Sequence, residues 1–178
     1  MSDPDRDLPE ETHWAGKFIV AKTRGKWEYV GRTRGVRAAV IVAIDADDII
    51  LVEQFRVPLG RRCLELPAGL VGDETANETI DHAAARELEE ETGYRPARIE
   101  AIGEFASSPG MVTETFTLVR ASGLTKVGDG GGVDDEDITV HRVPLSEVAT
   151  FLAARRAAGT VADVKLLLLL GAGILAGA

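Results

Sequence analysis

One stretch constrains this chain more than any other. From Leu64 it reads LELPAGLVGDETANETIDHAAARELEEETGY, a turn that runs into an acidic segment. Pro67, Gly69 and Gly72 belong to the turn, whereas the residues after Ala76 are strong helix formers with no glycine or proline until Gly93. The pattern predicts a loop feeding a helix that stops at Gly93. At 3.6 residues per turn, Ile80, Ala83, Ala84 and Leu88 form the stripe that faces the body of the protein, and Glu87 and Glu91 fall on that same stripe. An acidic helix is ordinarily a charge run on a solvated face, and His82 and Glu89 project accordingly. Glu87 and Glu91 do not, because a carboxylate turned inward is strongly disfavoured unless a cation or hydrogen-bond donors compensate it. The two are one turn apart, roughly 6 Å along the axis, with Glu90 at their edge. Three clustered carboxylates repel one another and take up protons unless a hard divalent cation sits among them. Magnesium is the natural ion, with manganese as the alternative, because oxygen ligands, open water positions and phosphate substrates go together.

The spacing is itself a motif: Gly72, five residues, Glu78, seven residues, Arg86-Glu87-Leu88, one residue, Glu90-Glu91, one residue, Gly93, then Tyr94. It resembles the Nudix box of the Nudix hydrolases, departing at Tyr94, where that family more often has an aliphatic residue. The resemblance implies metal binding by Glu87, Glu90 and Glu91. Glu78 is the weaker candidate, since continued helical phase points it away from them. Arg86 is either an orienting partner for these carboxylates or a plain helix salt bridge to Glu90, four residues on.

The chain of 178 residues is long enough for one domain with a real core. Its 20 basic and 29 acidic residues give a net charge of −9, which argues against nucleic acid or an anionic membrane as partner. It leaves room for a phosphorylated substrate where metal ions supply local positive charge. The single cysteine, Cys63, allows no internal disulfide, fits a reducing cytoplasm and reads as a buried structural thiol. The polar, acidic N-terminus has no signal-peptide pattern. The apolar tail over residues 166–178 is too short to span a bilayer of roughly 30 Å. With Asp163 as its cap, the leucine run is expected to pack as a helix on the domain or on a second subunit.

Elsewhere the periodicity is mostly that of strands. Residues 17–22 and 27–33 form an expected hairpin, residues 36–44 and 49–55 another, and further strands are expected over 99–105, 114–121 and 138–143. A helix is expected over 146–158. The pattern predicts an α/β sandwich, in agreement with the Nudix fold of a mixed sheet between helices. Residues 36–178 would form that domain, and residues 1–35 an additional N-terminal sheet.

Several further residues gain a role from similarity to the ADP-ribose pyrophosphatase branch of the family. There an N-terminal sheet helps to build a homodimer with shared substrate sites. The segment KWEYVGRTRG resembles the strand on which adenine stacks, so Trp27 is the expected stacking residue and Glu28 a candidate for base or ribose hydrogen bonds. Trp27 could equally cover a sheet face. Arg56, in VEQFRVP, is an exposed strand-end arginine or a phosphate or ribose contact, and similarity to the branch favours the contact; Arg34 and Arg37 are weaker candidates. In Leu66-Pro67-Ala68-Gly69 the resemblance makes the Ala68 carbonyl a metal ligand, with Glu65 supporting the site. Pro109 matches the proline that marks ADP-ribose hydrolases, and Glu114 stands where the branch has a substrate-contacting glutamate. The Gly/Asp run over residues 128–137 reads as a flexible acidic loop. In the branch, a loop at this position supplies the catalytic base or a further metal ligand, for which Glu136 is the first choice and Asp134 the second.

The resulting expectation is a cytoplasmic, dimeric, metal-dependent hydrolase that splits ADP-ribose into AMP and ribose 5-phosphate. Another nucleoside diphosphate sugar such as GDP-mannose is the alternative substrate, and a non-catalytic nucleotide-binding module the alternative class.

Overall fold

The β-branched runs of the first half of the chain each have an apolar face to bury, and the way they pair decides where the acidic helix lies. The computed structural model describes residues 4–34, 36–72, 78–133 and 136–171. Three strands come first, β1 (Glu10–Ala15), β2 (Ile19–Arg24) and β3 (Trp27–Arg32), and they form an antiparallel sheet of their own. The expected hairpin is β2 with β3, turning through Gly25 at φ 57°. β1 lies within the stretch that read only as a polar terminus; its six residues are all exposed, so it carries no apolar alternation to betray it.

The rest follows as β4 (Arg37–Asp45), β5 (Asp48–Arg56), β6 (Arg61–Glu65), β7 (Ala68–Val71), α1 (Ile80–Thr92), β8 (Tyr94–Arg95), β9 (Arg98–Ala106), β10 (Thr115–Ser122), β11 (Thr125–Lys126), β12 (Thr139–Pro144), α2 (Val148–Ala157) and β13 (Val161–Ala162). Eight of these strands make one mixed sheet in the order β13-β6-β5-β4-β10-β9, with β12 added on β5 and β7 on β4. β4 runs parallel to β10, and β6 parallel to β13.

Alternation along β4 builds two cores, one on each face. Val40 and Val42 join Leu51, Leu64 and Leu118 under Val148 and Leu152 of α2 and under Leu166 and Leu169. Ala39, Ile41 and Ala43 instead meet Ala83, Ala84 and Leu88 of α1. Small side chains on both partners let α1 approach the sheet closely. The mixed sheet between helices expected from the sequence is therefore what forms. The leucine run is a 3₁₀ helix, Val164–Leu170, with the Asp163 carboxylate accepting the Lys165 N–H at 2.7 Å. Its three-residue period buries Leu166 and Leu169 and exposes Leu167 and Leu170. Among the described residues no helix is long and apolar enough to cross a membrane.

α1 starts later than composition implied. Thr79 is the cap, its hydroxyl accepting the His82 N–H at 3.3 Å, and Gly93 closes the helix at φ 71° in the left-handed conformation. Glu78 thus precedes the helix, and the phase argument that pointed it away from the other acids does not apply to it. The N-terminal sheet is tied to the rest through the segment after Pro109: Val30 N–H donates to the Met111 carbonyl and Thr113 N–H to the Val30 carbonyl, both at 2.9 Å.

Candidate active site

The inward stripe of α1 carries its two acids where the helical period put them. Glu91 is 6% exposed, and its Oε2 accepts the Ala68 N–H at 3.1 Å. Burial pushes its carboxyl up to about 8; the Ala68 N–H opposes this, the charges of Glu87 and Glu136 add to it, and Arg56 opposes it again. Glu87, half-buried, lies directly over Gly69, where a Cβ would overlap its carboxylate. That close approach gives Gly69 its reason: β7 can slide under α1 only if its second residue has no side chain.

Arg86 meets more than its neighbour one turn along the helix. Its guanidinium pairs with Glu90 at 3.0 Å, one turn on, and also with Glu87 at 3.1 Å and Glu78 at 3.3 Å. Burial disfavours the charge on Arg86, but the hydrogen bond to Glu78 and the fields of Glu87 and Glu90 hold its pKa above the ordinary arginine value. Glu78 in turn accepts the Gly72 N–H at 3.3 Å, which joins the residue after β7 to the approach to α1.

A cavity of about 490 Å³ opens beside these acids. Of the expected residues it brings together Arg56, Ala68, Glu87, Glu91, Glu114 and Glu136. Arg56 gives both oxygens of the buried Glu65 a hydrogen bond, at 2.6 and 2.8 Å, so its head group is pre-oriented at the end of β5. Glu114 pairs with Arg32 at 2.6 Å. Glu136 accepts the Val133 N–H at 3.0 Å. Asp134, the other loop acid, lies outside the described residues.

Other expected residues are elsewhere. Glu90 faces Arg86 and does not line this cavity, so two of the three box acids, not three, look into it. Trp27 and Pro109 share a different cavity of about 520 Å³, and Glu28 lines a third of about 460 Å³. Neighbours on a strand point to opposite faces, so Trp27 and Glu28 do not converge on one ligand within a single chain. Arg34 and Arg37 are exposed and do not line the carboxylate cavity.

Three charged or amide lining residues are not singled out by the sequence: Arg32, Gln54 and Lys165. Strand alternation puts Arg32 on one face of β3 but cannot say what that face meets. Lys165, ion-paired with Asp163 at 2.6 Å, sits beside a leucine run that reads only as packing. Cys63 is the inert thiol expected, buried on β6 with its pKa pushed up to about 12 by burial.

The donor set suits a hard divalent cation. Glu87, Glu91 and the backbone of Ala68 are all oxygen donors, and Glu91 is a buried acid at the cavity wall that the Ala68 N–H meets. Among the described residues no three acid, histidine or cysteine side chains converge into a closed metal cage, so solvent or substrate oxygens would complete the coordination.

A mixed sheet between helices, with inward acids on the helix that follows β7, defines a class that comparison with known proteins identifies. Residues 33–164 match the NUDIX domain, and the chain belongs to that family. It is 37% identical over 119 residues to a methanol dehydrogenase activator of Bacillus methanolicus, covering 66% of this chain and 63% of that protein. It is 36% identical over 118 residues to the ADP-ribose pyrophosphatase of Bacillus subtilis, covering 66% and 62%. To the GDP-mannose pyrophosphatase of Cronobacter sakazakii it is 34% identical over 156 residues, covering 83% and 76%. The chain thus spans less than two thirds of the length of the first two relatives. Its fold is also that of a crystal structure of an ADP compounds hydrolase, with a TM-score of 0.71, 23% identity and coverage of 92% and 90%.

Proposed function

We propose that this chain hydrolyses the pyrophosphate bond of a nucleoside diphosphate sugar, ADP-ribose before others, to give AMP and ribose 5-phosphate. The observation that carries this reading is the burial of Glu91 beside Glu87, with the Ala68 N–H as its hydrogen-bond donor, in a cavity that Arg32, Arg56 and Lys165 also line. Carboxylates and cations around one cavity suit a substrate that is itself anionic and metal-bound. Similarity to ADP-ribose pyrophosphatases over two thirds of the chain supports the choice of substrate.

Glu87, Glu91 and the Ala68 carbonyl would hold a divalent cation, Mg2+ first and Mn2+ second. Such an ion, when bound, neutralises the pyrophosphate oxygens and makes a water more acidic. Glu136 takes the proton from the attacking water as its oxygen bonds to phosphorus and the bridging P–O bond breaks; the proton then passes to the departing phosphate. Arg56, held by Glu65, steadies a phosphate or ribose, and Arg86 keeps Glu87 and Glu90 in place.

The segment 1–35, which carries the sheet of β1, β2 and β3, is read as the dimerisation arm. Trp14, Phe18 and Trp27 are exposed on it, and the Trp27 cavity is separate from the acids, which fits a homodimer in which one subunit's tryptophan serves its partner's site. The free, buried thiol of Cys63 supports a cytoplasmic location.

A second reading, GDP-mannose hydrolysis, is favoured by the longer alignment with the Cronobacter sakazakii protein. Incubation of the protein and magnesium with a panel of nucleotide sugars decides. AMP release from ADP-ribose, lost in Glu91→Gln while ADP-ribose still binds, is the expected result. GMP release from GDP-mannose at a higher kcat/KM would replace the substrate assignment, and binding without turnover in any divalent metal would remove the enzyme.

A further inference from the structure

The glycine run between β11 and β12 is not a slack connection. The last carbonyls of any helix lack partners within it. Here the loop supplies them: Gly131 N–H donates to the Glu91 carbonyl at 2.9 Å and Gly132 N–H to the Glu90 carbonyl at 3.0 Å. Val127 and Gly128 N–H groups donate to the Gly93 carbonyl at 2.8 and 3.2 Å. The Lys126 ammonium donates to the Thr92 carbonyl at 2.9 Å, at the negative end of the helix dipole, and lies 4.7 Å from the centre of the Tyr94 ring.

Such a fit needs glycine. Gly130, Gly131 and Gly132 have φ of 73°, 110° and 88°, a Cβ on Gly130 would overlap the Thr92 backbone, and a Cβ on Gly132 would overlap the Glu136 carboxylate. The far side of the loop is pinned as well, by Ile138 N–H to the Gly131 carbonyl at 3.3 Å and by the Glu136 carboxylate accepting Val133 N–H.

We propose that Lys126 and Gly130-Gly131-Gly132 are positioning residues: they bolt the Glu136 loop to the backbone of the very residues, Glu90 and Glu91, whose side chains belong to the box. The inference deepens the hydrolase reading and rests on it. The distance between the loop acid and the helix acids is then set by main-chain hydrogen bonds and not by ligand binding. A base misplaced by about 1 Å costs on the order of 100-fold in rate, so loosening the anchor reads out as kcat.

The test is a double-mutant cycle on the full chain with ADP-ribose and magnesium, paired with amide hydrogen exchange on the metal-free protein. Gly130→Ala and, separately, Lys126→Met are expected to lower kcat about 100-fold and 10-fold with KM within about twofold, and Lys126→Arg to restore most of it. In a Glu136→Gln background neither is expected to cost anything further. Gly131 and Gly132 amides are expected to exchange slowly in the wild type and to lose that protection in Lys126→Met. Losses that multiply in the Glu136→Gln background, or unprotected glycine amides in the wild type, overturn the anchor while leaving the hydrolase intact. Full activity of Glu136→Gln overturns both the anchor and the choice of base. Lys126→Met carries the same decision should Gly130→Ala fail to fold.

Discussion

Two buried glutamates meet opposite surroundings in this molecule. Glu53 on β5 is 1% exposed and Glu91 on α1 is 6% exposed. Glu53 is met by Arg155 at 2.5 Å, His141 at 3.1 Å and Arg62 at 3.2 Å. Burial alone would raise its pKa, but Arg155 and His141 outweigh it and hold the carboxyl below its ordinary value. Glu91 has a backbone N–H from Ala68 and, among the described residues, no such ring of cations, and burial pushes it up to about 8. Burial of an acid is therefore no sign of function by itself. What sets Glu91 apart is burial at the wall of a cavity with a backbone N–H in place of a ring of ion pairs.

The sharpest way to break this contrast is to neutralise each acid in turn. Glu91→Gln is expected to lower metal-dependent turnover about 1000-fold while leaving the fold intact, since a neutral amide suits a desolvated position. Glu53→Ala is expected to leave the kinetics within a fewfold but to cost about 2 kcal/mol of stability in urea titrations. That is less than a fully buried pair would lose, because Arg62 and Arg155 retain some solvent. A Glu53 variant that folds normally and is inactive would reverse the two assignments.

Titration separates the same two groups. Because the folded-state pKa of Glu91 is raised, its contribution to stability is full below the ordinary carboxylate range and is lost as pH rises towards and through about 8. The lowered pKa of Glu53 does the reverse: its contribution is present above the ordinary range and lost as pH falls through the depressed value. The Tm of the protein in chelator is expected to decline from about pH 5 to about pH 8, and Glu91→Gln or added magnesium to flatten that decline. An unchanged slope in Glu91→Gln would assign it to another group.

A smaller effect tests the packing that sets Glu87 against β7. Gly69→Ala forces its new methyl into the Glu87 carboxylate, and kcat/KM is expected to fall about 10- to 100-fold with little change in Tm. Wild-type kinetics in that variant would show that Glu87 need not stand where it does.

Much of this is legible in the sequence alone. Helical period alone put Glu87 and Glu91 on the buried side of α1 with Ala83, Ala84 and Leu88, and β-branched runs gave β4, β5, β9, β10 and β12 to within a few residues. The box spacing led to the family. Less visible were β1, whose exposed residues carry no alternation, and β6 and β7, which are short and surround a proline. The start of α1 was misplaced because propensity counts good helix formers, whereas the Thr79 cap decides where the backbone turns.

By itself the sequence determined that Glu87 and Glu91 turn inward along α1 with Ala83, Ala84 and Leu88, and that such acids need a cation or hydrogen-bond donors, because period and residue chemistry are local properties. Only the tertiary structure decided that Glu90 goes to Arg86, that Trp27 and Glu28 part company, that Lys165 joins the cavity, and that the glycine run caps α1. Those outcomes depend on contacts between segments far apart in the chain, and such contacts are chosen by which surfaces and hydrogen-bonding groups remain unsatisfied once the local elements have formed.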